Sequence, residues 1–459
     1  MFYGDEPSTR QDFDPSRRRL LTRAAAVAAA IGAPVWAEAL PGALDADEAG
    51  VRPSSTDQSR ALQRAIDRAA REGRPLALAP GLYRAAGLTL PDGATIVGAG
   101  EATRIELAGP GPLFSAKGAK RIALRGLLLD GSNFPGDAQS GVVEAADVGQ
   151  LTADEVAVED AGGSAFALER TGGAIRACRI ANARQAAVFS MDGKGISVFD
   201  CVIRGCRNNA VVIRRTDKGD EPSIVSRNRI EDTGAIEGGM GWNGNAVNVS
   251  KAGGVVISNN AIRRSAFTAV RAHQADDVLI TGNLCVDSGE VAVFAEYGFS
   301  GAVIQGNIID GAANGISIAN FNEGGRLAAV SGNLVRNLFK RPYLDQPGEG
   351  YGVGIGVEAD TAVTGNTIEN APAIGILAGW GPYLRDVSIT GNVVRSSGVG
   401  VGVSVVEGVG AATVSGNVII GSRQGAVRGY RWTEIATPDL GSGGTGGLPG
   451  LVVAQNAVR

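Results

Sequence analysis

The chain contains a single histidine, His273, and the residues around it are the best furnished for acid–base chemistry. Arg271 stands two residues before it, Glu296 and Tyr297 follow 23 and 24 residues later, and Lys251 precedes it by 22. An imidazole beside a carboxylate serves as a general base or acid near neutral pH. Arginine and lysine neutralise a uronate carboxylate, which acidifies its C5 proton and stabilises the enolate-like intermediate of β-elimination or epimerisation. The expected assignment is Arg271 and Lys251 as carboxylate neutralisers, His273 as base, Tyr297 as acid and Glu296 orienting the histidine.

Residues so far apart in sequence act together only if a repeat stacks them. An apolar-x-Gly-Asn-x-apolar tag recurs at Ile257 to Ile262 (with Asn259 for Gly), Ile280 to Cys285 and Ile304 to Ile309, and its asparagines Asn260, Asn283 and Asn307 lie 23 and 24 residues apart. It continues at Asn333, Asn366, Asn392, Asn417 and Asn456. Upstream it degrades through Asn228 to Cys201 and Cys178, with Asp154 and Arg125 read into the same slot earlier still. A fixed period of about two dozen residues with short alternating runs marks a solenoid with one coil per repeat. About a dozen coils at roughly 4.8 Å each give a rod on the order of 60 Å. Buried asparagines on successive coils can form a hydrogen-bonded ladder, since the amide donates and accepts at once.

After each tag comes a second alternating run, from Ala210 to Arg215, Ala246 to Lys251, Ala269 to Gln274, Ala292 to Tyr297, Gly315 to Asn320 and Gly354 to Ala359. Its period of two fixes which residues face outward. One outward row holds Val212, Asn248, Arg271, Phe294, Ser317 and Gly356; the next holds Arg214, Ser250, His273, Glu296, Ala319 and Glu358. Arg215, Lys251, Gln274, Tyr297, Asn320 and Ala359 follow directly. Insertions at 234–244 and 337–352, and exit loops at 214–223, 321–326 and 380–386, adjoin this strand, as loops that build a binding face do. They suggest a sugar-sized groove rimmed by Trp242, Tyr343, Tyr351, Trp380 and Tyr383, with Arg214, Asn248, Trp242, Asn320, Glu323 and Glu358 as substrate-binding residues.

Composition agrees with thin strands and tight turns, with 68 glycines and only 5% aromatic residues. A net charge of −4 and the absence of a basic stripe argue against a nucleic-acid partner. No cysteine spacing resembles a zinc site, and neither a metal nor a cofactor is expected. Cys178 and Cys201, on neighbouring coils, read as a buried thiol pair rather than a disulfide, because parallel stacking leaves their Cβ atoms too far apart for a relaxed bridge. Residues 16–22, SRRRLLT, carry a twin-arginine pattern before an apolar run from Ala24 to Ala33 and a small-x-small site at Ala37 to Ala39. Residues 1–39 are thus expected to be a signal peptide read by the twin-arginine translocation machinery, and the mature chain to work in the periplasm or outside the cell. That run is too short for a permanent membrane span.

Residues 40–100 are expected to hold a capping helix (apolar pairs at helical spacing from Thr56 to Glu72, stopped by Gly73 and Pro75) and the first strands. Residues 101–427 are the repeats and 428–459 a C-terminal cap. The succession of helix, strand, Pro80-Gly81-Leu82-Tyr83 and coils resembles the opening of the right-handed parallel β-helix of the pectate-lyase-like superfamily. With the exported Gly-Asn repeats, the chain after Val51 is similar to the twin-arginine-translocated repetitive proteins, a family defined by pattern more than by chemistry. The resemblance implies an all-β, right-handed parallel β-helix, while the residues around His273 suggest an acidic polysaccharide partner, with lyase or epimerase chemistry first. Two alternatives stand beside it: an inverting glycoside hydrolase using Glu296, Glu323 and Glu358, and a non-catalytic carbohydrate-binding or cell-envelope scaffold. The polygalacturonase-type set of aspartates with Gly-His-Gly and Arg-x-Lys is absent, as is the Arg-x-Pro-x-x-Arg of pectate lyases.

Overall fold

The residue before each ladder asparagine makes the turn. Gly282, Gly306, Gly332, Gly365, Gly391 and Gly416 all adopt φ between +62° and +67°, the left-handed region in which glycine avoids a Cβ clash. Where glycine is missing, Ala177, Asp200, Arg227 and Asn259 hold the same conformation. The left-handed turn therefore belongs to the glycine of each Gly-Asn pair, and the asparagine has a different task.

That task is the ladder. In the computed structural model, which describes residues 42–239, 241–340, 351–442, 444–445 and 447–459, Asn228, Asn260, Asn283, Asn307, Asn333, Asn366, Asn392 and Asn417 are all buried. Each donates its Nδ2 to the Oδ1 of the next at 2.9–3.0 Å, ending on Asn456. Each Oδ1 also accepts the backbone N–H of the ladder residue one coil before, starting with Cys201. The N-terminal end differs from the sequence reading. Asp154 pairs in register with Arg176, two residues before Cys178, so Val156 and Leu127 fill the slots assigned to Asp154 and Arg125. Asp154 instead sits outside, in ion pairs with Arg176 and Arg125. Cys178 and Cys201 are free, buried thiols.

Parallel strands stack into three faces. One face is a sheet of sixteen strands, more than the tag alone suggests because the first coils lack asparagine; the other two share a connected sheet of 28 strands. Inward Val, Ile, Leu and Ala from all three form one continuous core. A helix at Ser59–Arg71 turns Leu62, Ala65, Ile66 and Ala69 onto the first strands, and its Gln63 amide bonds both backbone groups of Thr89. At the other end, Val427–Arg431 pairs antiparallel with Glu434–Ile435 before Leu451–Ala454 rejoins the first face. No helix among the described residues is long and apolar enough to cross a membrane. The twin-arginine segment, the cleavage site and Tyr343 lie outside the described residues.

Candidate functional site

The third face carries the site, in the register the alternation predicts. Arg214 pairs with Ser250, Ser250 with His273, and His273 with Glu296. Strand Asn209–Asp220 runs past the expected loop start, with a bulge between Arg214 and Gly219, so much of the 214–223 segment is strand. Gln274, Tyr297 and Asn320 follow the ends of successive strands with left-handed backbone, and Lys251 adopts the same conformation within strand Asn245–Gly253.

At its centre His273 is held on several sides. Its Nδ1 lies 2.9 Å from Glu296 Oε1, which leaves Nε2 as the nitrogen free for chemistry. The imidazole stands between two rings, 5.7 Å from Trp242 and 4.7 Å from Tyr297 by centroid. The Arg214 guanidinium lies 4.1 Å from the Trp242 ring centroid, extending the stack to a cation. Tyr297 thus adjoins the histidine as expected, but through its ring.

Arg271 has a different part from the one expected. Its Nε and Nη2 reach Glu296 Oε1 at 2.7 and 2.6 Å, and Nη1 lies 3.8 Å from Glu290. With its side chain 10% exposed, over the Phe294 ring, it is directed at internal carboxylates. It positions Glu296, which positions His273. Arg271→Ala strands a carboxylate that is 3% exposed; breaking a buried pair this way costs roughly 3–5 kcal/mol. We expect the lower end, since His273 remains beside Glu296, and chemical denaturation measures it; an unchanged midpoint would remove the buried pair from the account.

The cations near His273 that form no ion pair among the described residues lie on the N-terminal side. A cavity of about 550 Å³ is rimmed by Arg214, Arg215 and Lys251, with Glu237 the one carboxylate on its wall; His273 does not line it but adjoins two residues that do, Trp242 and Ser250. Glu237 is bonded to Gln185 Nε2 at 2.5 Å. None of the three cations has a carboxylate partner among the described residues. Arg215 and Lys251 donate to the carbonyls of Asp217, Asp220 and Thr216, and burial lowers the pKa of the Arg214 guanidinium. The floor is apolar, made by Ala186, Phe189 and Val212. The sequence reading places Arg215 in the row of Lys251 and Glu237 in the 234–244 insertion without assigning either to the site, and it misses Phe189, whose coil precedes the first run it reads; an apolar outward Val212 was the available signal.

Other expected residues have structural tasks. Asn248 is 3% exposed and donates to the Trp242 carbonyl at 2.9 Å, pinning the loop that carries the tryptophan. Asn320 accepts the Tyr297 N–H at 3.3 Å and precedes the short helix Phe321–Glu323, on which Glu323 is exposed. Tyr351 is buried, its hydroxyl 3.1 Å from Glu290, so it packs its loop and does not rim the groove. Glu358 lies two coils beyond Glu296 and accepts the Phe321 N–H at 2.6 Å. Burial outweighs that hydrogen bond and lifts its pKa from 4.5 to about 7. A raised pKa means the folded state holds the proton more tightly. The stability this proton contributes is complete below 4.5 and lost as pH rises through about 7. Glu358→Gln should flatten this part of the stability–pH curve, and identical denaturation midpoints for variant and wild type across that window would refute it. Among the described residues no three His, Cys, Asp or Glu side chains gather as a metal site.

The comparisons with known proteins speak to this architecture. A family model described as the right handed beta helix region matches residues 225–419. The fold is a right-handed parallel β-helix. Among solved structures, the N-terminal fragment of gene product 12 of bacteriophage phi29 is similar at 16% identity over 97% of this chain and 74% of that one, with TM-score 0.50. The catalytic unit of the GH87 α-1,3-glucanase of Streptomyces thermodiastaticus follows at 16% identity, 94% and 70% coverage and TM-score 0.46. The A-module of the Azotobacter vinelandii mannuronan C-5 epimerase AlgE6 gives 14%, 90% and 99%, and 0.42. At these identities the likeness concerns the fold alone, and no curated protein matches the chain.

Proposed function

We propose that the protein binds an acidic polysaccharide and acts on it by β-elimination or C5 epimerisation at a uronate residue. The observation that carries this reading is the adjacency of a cation-rimmed, apolar-floored cavity to a histidine whose Nδ1 is fixed by a buried carboxylate. A pyranose ring has an apolar face for Phe189 and Val212, and its carboxylate matches Arg214, Arg215 and Lys251. With that carboxylate neutralised, His273 Nε2 takes the C5 proton. In elimination, the C5–H electron pair forms the C4–C5 double bond, the C4–O bond breaks, and the departing oxygen takes a proton, for which Tyr297 is the nearest phenol. In epimerisation His273 keeps the proton it took and Tyr297 delivers another to the opposite face of C5.

Residues 1–39 would direct export of the folded chain through the twin-arginine machinery, leaving residues 40–100 as the capped start, 101–427 as the coils and 428–459 as the closing segment. The test is incubation of the mature protein with polygalacturonate, alginate and hyaluronan, following unsaturated-uronate absorbance and uptake of solvent deuterium at C5. Arg214→Ala should weaken binding roughly 10- to 100-fold, the worth of a charge-assisted hydrogen bond. Binding without product or exchange would leave a carbohydrate-binding module; no binding at all sinks the reading.

A further inference from the structure

The turn after strand Val427–Arg431 contains an expensive choice of residue. Trp432 adopts φ +55°, in a turn where asparagine or glycine is favoured and a bulky residue is an outlier. Its ring is nevertheless held in place. It seats against Gly381, where any Cβ would overlap it, and meets the Trp380 ring edge-on at a centroid distance of 5.7 Å. Trp380 is itself fixed by paired backbone hydrogen bonds with Tyr383 at 3.2 and 3.0 Å. Two turns from different coils thus present a corner of two tryptophans, with Trp432 still 49% exposed. Arg431 pairs with Glu407 at 2.7 Å, and the exposed Glu434 lies opposite Arg431 across the hairpin.

The register places this corner in line with the cavity. Val357 pairs with Ala378, Ala378 with Val403, and Ser404 with Tyr430. Trp380 therefore continues the row of Lys251, Gln274, Tyr297 and Asn320, and Trp432 lies one residue past that row two coils on. Four strand spacings, roughly 19 Å, separate the His273 coil from Trp380.

We propose that Trp380 and Trp432 form a second, remote carbohydrate-binding platform, which stacks on the apolar face of a sugar ring in the same polysaccharide chain that fills the Arg214 cavity. It rests on the polysaccharide reading above and adds a length requirement: only a chain several residues long occupies both places. An aromatic corner stacks on the apolar face of a sugar ring.

The test compares wild type, Trp432→Ala, Trp432→Phe and Arg214→Ala in the full mature chain, titrated with polygalacturonate and alginate as polymers and as trimers. Trp432→Ala should weaken polymer binding roughly tenfold, Trp432→Phe should recover most of it, and trimer binding should not follow. Arg214→Ala should weaken both lengths. Unchanged polymer affinity in Trp432→Ala, or equal loss for polymer and trimer, overturns the platform while leaving the polysaccharide reading in place. Failure of wild type to bind any polymer overturns both.

Discussion

His273→Ala should lower turnover of the acidic polysaccharide roughly 10²- to 10⁴-fold, the worth of a positioned general base, while the variant folds and still retains the polymer. The loss is chemical because the polymer is held elsewhere: the cavity's cations and apolar floor come from other residues. Steady-state rates with unsaturated-uronate absorbance or C5 deuterium exchange decide it. A variant that keeps most of the wild-type rate removes His273 from the chemistry and leaves Tyr297 as the next residue to substitute.

The second large effect is on stability. Asn307 is fully buried, donates to the Ile280 carbonyl and to Asn333 Oδ1 at 3.0 Å each, and accepts from the side chain and backbone of Asn283. Asn307→Ala removes both donors and the shared acceptor together. Each buried polar group left without a partner costs about 1–3 kcal/mol, so we expect a loss of about 4 kcal/mol or more, near the upper end for single substitutions. Denaturant unfolding reads it. A loss below about 1 kcal/mol, the scale of a single net hydrogen bond, would mean that the ladder is an incidental stack. Asn456, at the end of the ladder and partly exposed, should be far more tolerant.

Fold and register were legible because a solenoid repeats its constraints. The Gly-Asn period gives the coil length, and the alternation around Val270 and Ala272 gives the outward positions, which the observed pairings match. The tag misled where its physics stopped. Asp154 was placed in the ladder by counting letters; a buried slot without an asparagine partner is better filled by Val156, and the aspartate is satisfied outside by two arginines. The adjacency of His273 and Glu296 followed from register, since neighbours one coil apart are only a strand spacing away.

The sequence by itself determined the coil, the face and the line-up of His273, Glu296, Tyr297 and Lys251, because period and alternation act through the backbone. Only the tertiary structure decided which charges are free. Arg271 and Arg214 are equally cationic and equally outward in the alternation, yet one is held by Glu296 and Glu290 while the other faces a cavity and forms no ion pair among the described residues. That difference depends on side-chain reach across coils and on loops folding back over the face, as when Asn248 fixes the backbone beneath Trp242. The meeting of Trp432 with Gly381 arises in the same way, from two turns on different coils that no sequence period relates.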